Sequence, residues 1–307
     1  MKVLITGGSG FIGSHSAFVA KSRGIHVETI DLSGEPDYKV DISKIDWASF
    51  NLSEFDAVIH LAALISVPES FEIPENYFEV NVNSTERLFS ACVEQGVKRV
   101  IFASSAAVYG SSPKKTKIIG QEAPPESPYA ETKLAGEKLA SHYSTRNTNF
   151  TVFRFFNVYG GGQSSDSQYA SVIPKFIHLV CNNEPITIEG DGLQTRDFIH
   201  VSDVVKTLIS ACSIFPESPF EIINLGTGKG TSISEFASLL MRLAFQEGHR
   251  YDSNVVHLEP RVGDVRDSLA DLSGLENYID HSSFQTFEEG IRDILNEELK
   301  RKYGTYS

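Results

Sequence analysis

The chain has 307 residues, with 27 basic and 40 acidic side chains (net charge −13) and 41% hydrophobic residues, enough apolar sequence for one large domain or two modest ones. Charged residues at 22% and aromatics at 10%, with Gly and Pro dispersed, exclude disordered, collagenous and low-complexity classes. The acidic balance argues against nucleic acid and anionic membranes as partners.

Read from the N-terminus, MKVLITGG starts a strand rather than a cleavable leader, and no apolar run approaches the ~20 residues of a membrane span. A cytoplasmic protein is expected. Apolar strand patterns at 2–6, 27–31, 57–62, 99–104 and 151–155 alternate with amphipathic helical stretches at 12–23, 76–95 and 128–146. This alternation predicts an α/β fold with a doubly wound parallel sheet covered on both faces. After Asn157 the pattern becomes Gly-rich and mixed, with helices expected at 168–181, 201–215, 231–246 and 284–300. The apolar stretch 221–225 returns the chain to the sheet. The expected division is a dinucleotide-binding domain over 1–160, re-entered at about 198–226, and a smaller lobe from 161–197 and 227–307. Cys92, Cys181 and Cys212 lie far apart with no second ligand nearby, so neither a disulfide framework nor a metal site is expected.

Gly7, Gly10 and Gly13 recur at three-residue intervals between the first strand and the first helix. Missing side chains there permit a tight turn, close approach of a pyrophosphate and helix amides facing the anion. Asp31 ends the second strand, where a carboxylate accepts from both ribose hydroxyls and repels a 2′-phosphate, favouring NAD over NADP. The same Asp-Leu-Ser-Gly stretch also reads as a solvated turn. Tyr129 and Lys133 start a later helix at i, i+4, one turn apart on one face. An ammonium and a cationic nicotinamide both favour phenolate, so the pair suits proton removal from an alcohol. Ser105 follows the strand at 99–104 and is placed to orient the same oxygen. An isolated pair of this kind also fits a surface tyrosine beside a solvated lysine, and Ser105 also fits a turn serine.

Together, TGGSGFIGSH at 6–15, HLAALISVPES at 60–70, FASSAAVYG at 102–110, YAETK at 129–133, FRFFNVYG at 153–160, GDGLQTRDFIHVSD at 190–203 and RVGDVRDSLAD at 261–271 span nearly the whole chain. In these motifs the sequence resembles the extended short-chain dehydrogenase/reductases that act on nucleotide sugars, most of all the UDP-glucose and UDP-N-acetylglucosamine 4-epimerases. The resemblance implies a Rossmann-type domain and a nucleotide-sugar lobe. It implies Ser105, Tyr129 and Lys133 as catalytic residues, and NAD held by Gly7, Gly10, Phe11, Ile12, Gly13, Asp31, Asp41, Ile42, Leu61, Ala62, Ala63, Tyr129 and Lys133. It implies a UDP-sugar held by Ser66, Ser105, Asn157, Val172, Arg196, Arg261, Asp264 and Ser268, and a homodimer joined through the helices at 76–95 and from Tyr129, with Leu88, Phe89 and Leu139 shared between core and interface. Arginine suits a diphosphate through its charged planar fork, although each arginine also fits a surface ion pair, as does Asp264.

Ala106 and Ala107 stand where dehydratases and decarboxylases of this family place acidic groups, and methyl groups transfer no protons. The implied reaction is therefore 4-epimerisation: the sugar is oxidised to a 4-keto form, turns about its pyrophosphate link and is reduced on the other face, with no net redox change. Many hexose epimerases carry lysine where this chain has Ile65. The segments Ser66-Val67-Pro68-Glu69-Ser70 and Tyr169-Ala170-Ser171-Val172-Ile173-Pro174 resemble instead the branch that prefers UDP-N-acetylhexosamines. Ser268 occupies a position held by a bulky tyrosine in strictly non-acetylated enzymes, leaving volume for a 2-acetamido group, although it also fits a side chain on the cleft rim. A 4,6-dehydratase, decarboxylase or 4-reductase on the same fold is the first rival, and a non-catalytic dinucleotide-binding regulator is the second.

Overall fold

A computed structural model describes residues 1–163, 171–260 and 266–304. The chain opens with β1 (Lys2–Thr6), α1 (Phe11–Ser22), β2 (His26–Asp31), the short β3 (Tyr38–Lys39) and β4 (Ala57–His60). Then come α2 (Val67–Glu72), α3 (Pro74–Phe78), a π turn (Glu79–Asn83), α4 (Ser84–Glu94), β5 (Arg99–Ser105), β6 (Thr116–Lys117), α5 (Pro128–Tyr143), β7 (Asn149–Phe155) and β8 (Asn157–Tyr159). The remainder comprises α6 (Val172–Cys181), β9 (Ile186–Glu189), β10 (Thr195–His200), α7 (Val201–Ala211), β11 (Phe220–Leu225), β12 (Gly230–Ser232), α8 (Ile233–Gln246), β13 (Val255–Leu258), β14 (Asp267–Ala270) and α9 (Phe287–Tyr303).

Seven strands form one sheet in the order β3-β2-β1-β4-β5-β7-β11, with every pairing parallel. The strand order reverses direction at β1 and β4, so the ends of these strands leave a crevice between them, where doubly wound sheets bind ligands. The central strands are buried throughout: Val3, Leu4 and Ile5 of β1 and Val58 and Ile59 of β4 are fully inaccessible. Such strands read as continuous apolar runs because helices cover both faces. One face packs α1 and α7 around Ile199, Val204 and Leu208; the other packs α4 and α5 around Leu88, Phe89 and Phe102. The second lobe has its own core of Phe176, Ile177, Phe236, Leu240, Ile291 and Leu295. A smaller sheet, β12-β10-β14-β6, with β8 paired to β10, joins the lobes.

The expected strands and helices are found to within a few residues, with one informative exception; the start of the helix expected at 168–181 lies outside the described residues, and α2, β3 and β6 are not in the expected pattern. The stretch expected as a single helix over 76–95 is divided into α3, the π turn and α4. Inserted turns of this kind free backbone and side-chain groups for other work. Here Asn81, inside the π turn, accepts from the Leu64 amide at 2.8 Å and donates to the Leu64 carbonyl at 2.9 Å and to Thr132 Oγ1 at 3.1 Å. Leu88 and Phe89, expected to be shared with a dimer interface, are wholly buried within the chain, and Leu139 packs partly buried on the same core. The three cysteines are free and buried. No helix among the described residues is long and apolar enough to cross a membrane.

Candidate functional site

The carboxyl ends of the parallel strands open into a cleft of about 930 Å³ that runs between the two lobes. Its first part is built by the glycine turn. Gly7 has φ +72°, and a Cβ there would lie 2.7 Å from the Ala62 amide nitrogen. A Cβ on Gly13 would lie 2.0 Å from the Gly7 carbonyl oxygen, so any larger residue would push α1 off the turn. Among the described residues no side chain caps α1 at Gly10, and the first-turn amides of Phe11, Ile12 and Gly13 face the cleft that these residues line, suited to an anion.

Asp31 lines the same cleft and also does what a turn residue does. Its Oδ2 accepts from the Ser9 amide at 2.9 Å, bracing the glycine turn, and its Oδ1 accepts from the Ser33 amide at 3.1 Å. Asp41 and Ile42 close the far end, where the Ser43 amide at 2.9 Å and hydroxyl at 2.8 Å help hold the Asp41 carboxyl below its usual range. Leu61, Ala62 and Ala63 continue from β4 along the floor, with the Leu61 amide bonded to the Thr6 carbonyl at 3.1 Å. An uncapped helix N-terminus, a turn that no Cβ could enter and a carboxylate at the end of β2 fit a dinucleotide. Gln163 borders the cleft too, and its buried Oε1 has no partner among the described residues.

The middle of the cleft holds Ser105, Tyr129 and Lys133. Ser127 caps α5 by accepting from the Ala130 amide at 3.2 Å, and Pro128 occupies the first turn, so the helix begins immediately before Tyr129. Tyr129 and Lys133 are 9% and 5% exposed, which removes the surface-residue reading. The Lys133 ammonium donates to the Ala103 carbonyl at 2.9 Å and lies 5.9 Å from the centroid of the Tyr129 ring and 5.3 Å from that of Phe102. The Ser105 hydroxyl accepts from the Ala107 amide at 3.2 Å and lines the same part of the cleft as the phenol.

The electrostatics differ from the sequence expectation. Burial raises the Tyr129 phenol above its ordinary value, and the neighbouring Ser105 hydroxyl only partly opposes this. Burial also drives Lys133 down to about 8, against the upward pull of Glu137. The chain alone therefore supplies a neutral phenol. The expected phenolate depended partly on a positive ring that the protein does not itself carry.

Asn157, Arg196 and Ser268 line the other end. Arg196 and Ser268 are register partners on β10 and β14, and the Asn157 amide donates to the Asp197 carbonyl at 3.3 Å. Ser66 is absent from the lining; its hydroxyl caps α2 by accepting from the Glu69 amide at 3.2 Å. Val172 begins α6 and packs on the second-lobe core rather than lining the cleft. Arg261, Asp264 and Tyr169 lie outside the described residues.

Sequence reasoning missed Lys117, Glu126 and Phe71, which also line the cleft. Lys117 is 2% exposed and its ammonium donates to the carbonyls of Ser112 at 2.8 Å and Lys114 at 2.9 Å. In KKTK nothing distinguishes it from the exposed Lys114 and Lys115; only the pairing of β6 with β14 buries it. Ile65, in the position noted for its missing lysine, is 71% exposed on the cleft rim.

Replacing Asp31 with alanine should weaken NAD binding in calorimetry about ten- to hundred-fold, because hydrogen bonds to a charged group are worth ~1.5–3 kcal/mol. Discrimination against NADP should narrow at the same time. Unchanged NAD affinity would remove Asp31 from the cofactor site.

Comparison with known proteins follows the same lines. Residues 3–226 match the model of the NAD dependent epimerase/dehydratase family. A UDP-N-acetyl-alpha-D-glucosaminuronate decarboxylase from Bacillus cytotoxicus is 34% identical, with 96% of each chain covered. The structure of a UDP-N-acetylglucosamine 4-epimerase from Methanobrevibacter ruminantium M1, in complex with UDP-N-acetylmuramic acid, superposes with a TM-score of 0.87 at 33% identity and covers 98% of both chains. MoeE5 in complex with UDP-glucuronic acid and NAD gives a TM-score of 0.85 at 34% identity, covering 98% of this chain and 99% of the other. The chain belongs to the NAD-dependent epimerase/dehydratase family, as an enzyme with a Rossmann-type fold and NAD as its cofactor.

Proposed function

We propose that the protein interconverts UDP-N-acetylhexosamines, and the corresponding UDP-hexoses, at carbon 4. The observation that carries this reading is the pair of methyl groups, Ala106 and Ala107, that follows Ser105 along the cleft wall. Proton-transferring side chains at these two positions would serve elimination at neighbouring carbons; methyl groups leave the hydroxyl at carbon 4 as the reacting group. NAD, when bound along the glycine turn, supplies the reversible hydride acceptor. Ser105 holds the carbon 4 oxygen, and Tyr129 takes the proton from that oxygen and returns it to the same oxygen once the turned sugar has been reduced on its other face. Lys133, fixed on the Ala103 carbonyl, favours the phenolate form that Tyr129 needs in order to take that proton. Arg196 and Asn157 suit the diphosphate, about which the sugar turns between the two half-reactions. Arg261 and Asp264 are assigned to the nucleotide on the family resemblance alone. We read the active form as a cytoplasmic homodimer, with Phe78 of α3, 39% exposed, as interface surface in place of Leu88 and Phe89.

A second reading is favoured by Lys117. A buried ammonium near Arg196 and Ser268 adds positive charge at the sugar end, which suits a uronic acid carboxylate. The decarboxylase relative and the neighbour in complex with UDP-glucuronic acid support this reading. Oxidation of a uronate at carbon 4 places a ketone β to the carboxylate, so carbon dioxide can leave with its bonding electrons passing into an enolate, which then takes a proton at carbon 5 from water.

The test is to incubate purified protein with UDP-glucose, UDP-N-acetylglucosamine and their uronic acids, then separate products chromatographically. The expected result is a 4-epimer from UDP-N-acetylglucosamine without accumulation of reduced cofactor. Carbon dioxide release from the uronates without any 4-epimer would establish the second reading instead. Tyr129→Phe should lower turnover about a hundred- to ten-thousand-fold while UDP-sugar still binds; near-normal turnover would remove Tyr129 from the proton path. Ser268→Tyr should depress kcat/KM for UDP-N-acetylglucosamine about ten- to hundred-fold more than for UDP-glucose, since overpacking costs ~1–3 kcal/mol. Equal losses on both sugars would show that Ser268 does not read the 2-substituent.

A further inference from the structure

The proton path above leaves unused the carboxylate one turn beyond the lysine. Glu137 continues the four-residue interval of Tyr129 and Lys133 along α5 and is 3% exposed. A carboxylate so buried is costly unless it is paired and fully hydrogen-bonded. Its Oε1 accepts from Ser104 Oγ at 2.6 Å and from Arg154 Nε at 2.8 Å, and its Oε2 accepts from Arg154 Nη2 at 2.7 Å. The two parallel bonds from the guanidinium fix the plane of the carboxylate.

These partners place the interaction at the active centre. Ser104 and Arg154 face each other across β5 and β7, so one side chain of α5 is fastened to two adjacent strands. Ser104 lies between Ala103, whose carbonyl receives the Lys133 ammonium, and Ser105. Arg154 extends the connection outward. It pairs with Glu122 in the segment leading into α5, and its guanidinium lies 4.7 Å from the centroid of the Tyr109 ring. Tyr109 in turn donates to Asn224 Oδ1 at 2.7 Å.

Besides the Ala103 carbonyl and Phe102 ring of β5, the side chains around Lys133 come from four elements. Tyr129 and Glu137 lie on its own helix, His60 ends β4, Arg154 stands on β7 behind Glu137, and the π turn contributes the uncharged Asn81. His60, buried between two threonine hydroxyls and beside Lys133, is pushed down to about 3 and is neutral. Among these groups Glu137 alone is negative.

We propose that Glu137 is a positioning residue for the reaction: clamped by Arg154 and Ser104, it keeps the Lys133 ammonium charged on the Ala103 carbonyl and ties the Glu122 segment to the catalytic end of α5. This rests on the reading of Tyr129 and Lys133 as the proton-handling pair. Glu137→Gln preserves shape but removes the negative charge one turn beyond Lys133 that favours its ammonium.

The test follows Lys133 directly. In protein labelled with carbon-13 lysine, the Cε resonance of Lys133, identified by its loss in Lys133→Met, should titrate near pH 8. In Glu137→Gln its midpoint should fall by about one pH unit, a tenfold change in acidity. The alkaline limb of the kcat/KM profile should fall with it, and Glu137→Asp should restore most of the shift. The paired variant Glu137→Gln/Arg154→Met removes both buried charges and guards against misfolding; it should move the midpoint in the same direction. A midpoint unmoved in both variants, with only the melting temperature lowered, would overturn the proposal and leave Glu137 a structural residue. Failure of the underlying reading has a different signature, because Tyr129→Phe would then turn over normally whatever Glu137 does.

Discussion

A lysine ammonium buried against a strand carbonyl is the constraint on which the site depends. Lys133 is 5% exposed, and its ammonium donates to the Ala103 carbonyl at 2.9 Å. Desolvation of such a charge is expensive, so α5 must lie close on β5 and nearby groups must offset the cost. Close packing is possible because residue 136 is glycine: a Cβ there would lie 2.4 Å from Cζ of Phe102. The offset comes from the Phe102 ring face and from Glu137. Tyr129, one turn earlier, is thereby held where strand β5 delivers Ser105.

The cofactor end and the reacting end share one frame. Thr85 Oγ1 donates to the Asn81 carbonyl at 2.8 Å, so it accepts from His60 Nε2 at 2.8 Å, and His60 Nδ1 must accept from Thr6 at 2.7 Å. Thr6 precedes the glycine turn; Asn81 holds Leu64 and Thr132, the latter beside Lys133 on α5. A neutral histidine thus links the glycine turn to α5 through hydrogen bonds alone. Its low pKa keeps this tautomer uncharged over the physiological range.

Much of this was legible in the sequence because it is local. Glycine spacing at 7, 10 and 13, the acid at 31 and the i, i+4 pair at 129 and 133 each lie within one turn or strand end, where residue type and interval determine geometry. The parallel sheet was legible in the same way, from the period of its apolar runs. What the sequence did not disclose depends on contacts between distant segments. Burial of Lys117 needs β14 to pair with β6, and the π turn at Asn81 answers to Leu64. The depressed lysine and raised phenol follow from desolvation, which spacing does not report. Glu137 was visible one interval beyond Lys133, but its weight depends on Arg154, seventeen residues further along the chain.

The central claim is that hydride leaves and returns to the same carbon with no net redox change. The direct measurement is turnover of UDP-N-acetylglucosamine deuterated at carbon 4, with the product examined by mass spectrometry and proton NMR. The proposed 4-epimerisation predicts a 4-epimer that retains deuterium at carbon 4, with no solvent hydrogen entering the ring. Product that has lost the label, gained solvent hydrogen at carbon 5 or lost water would contradict it.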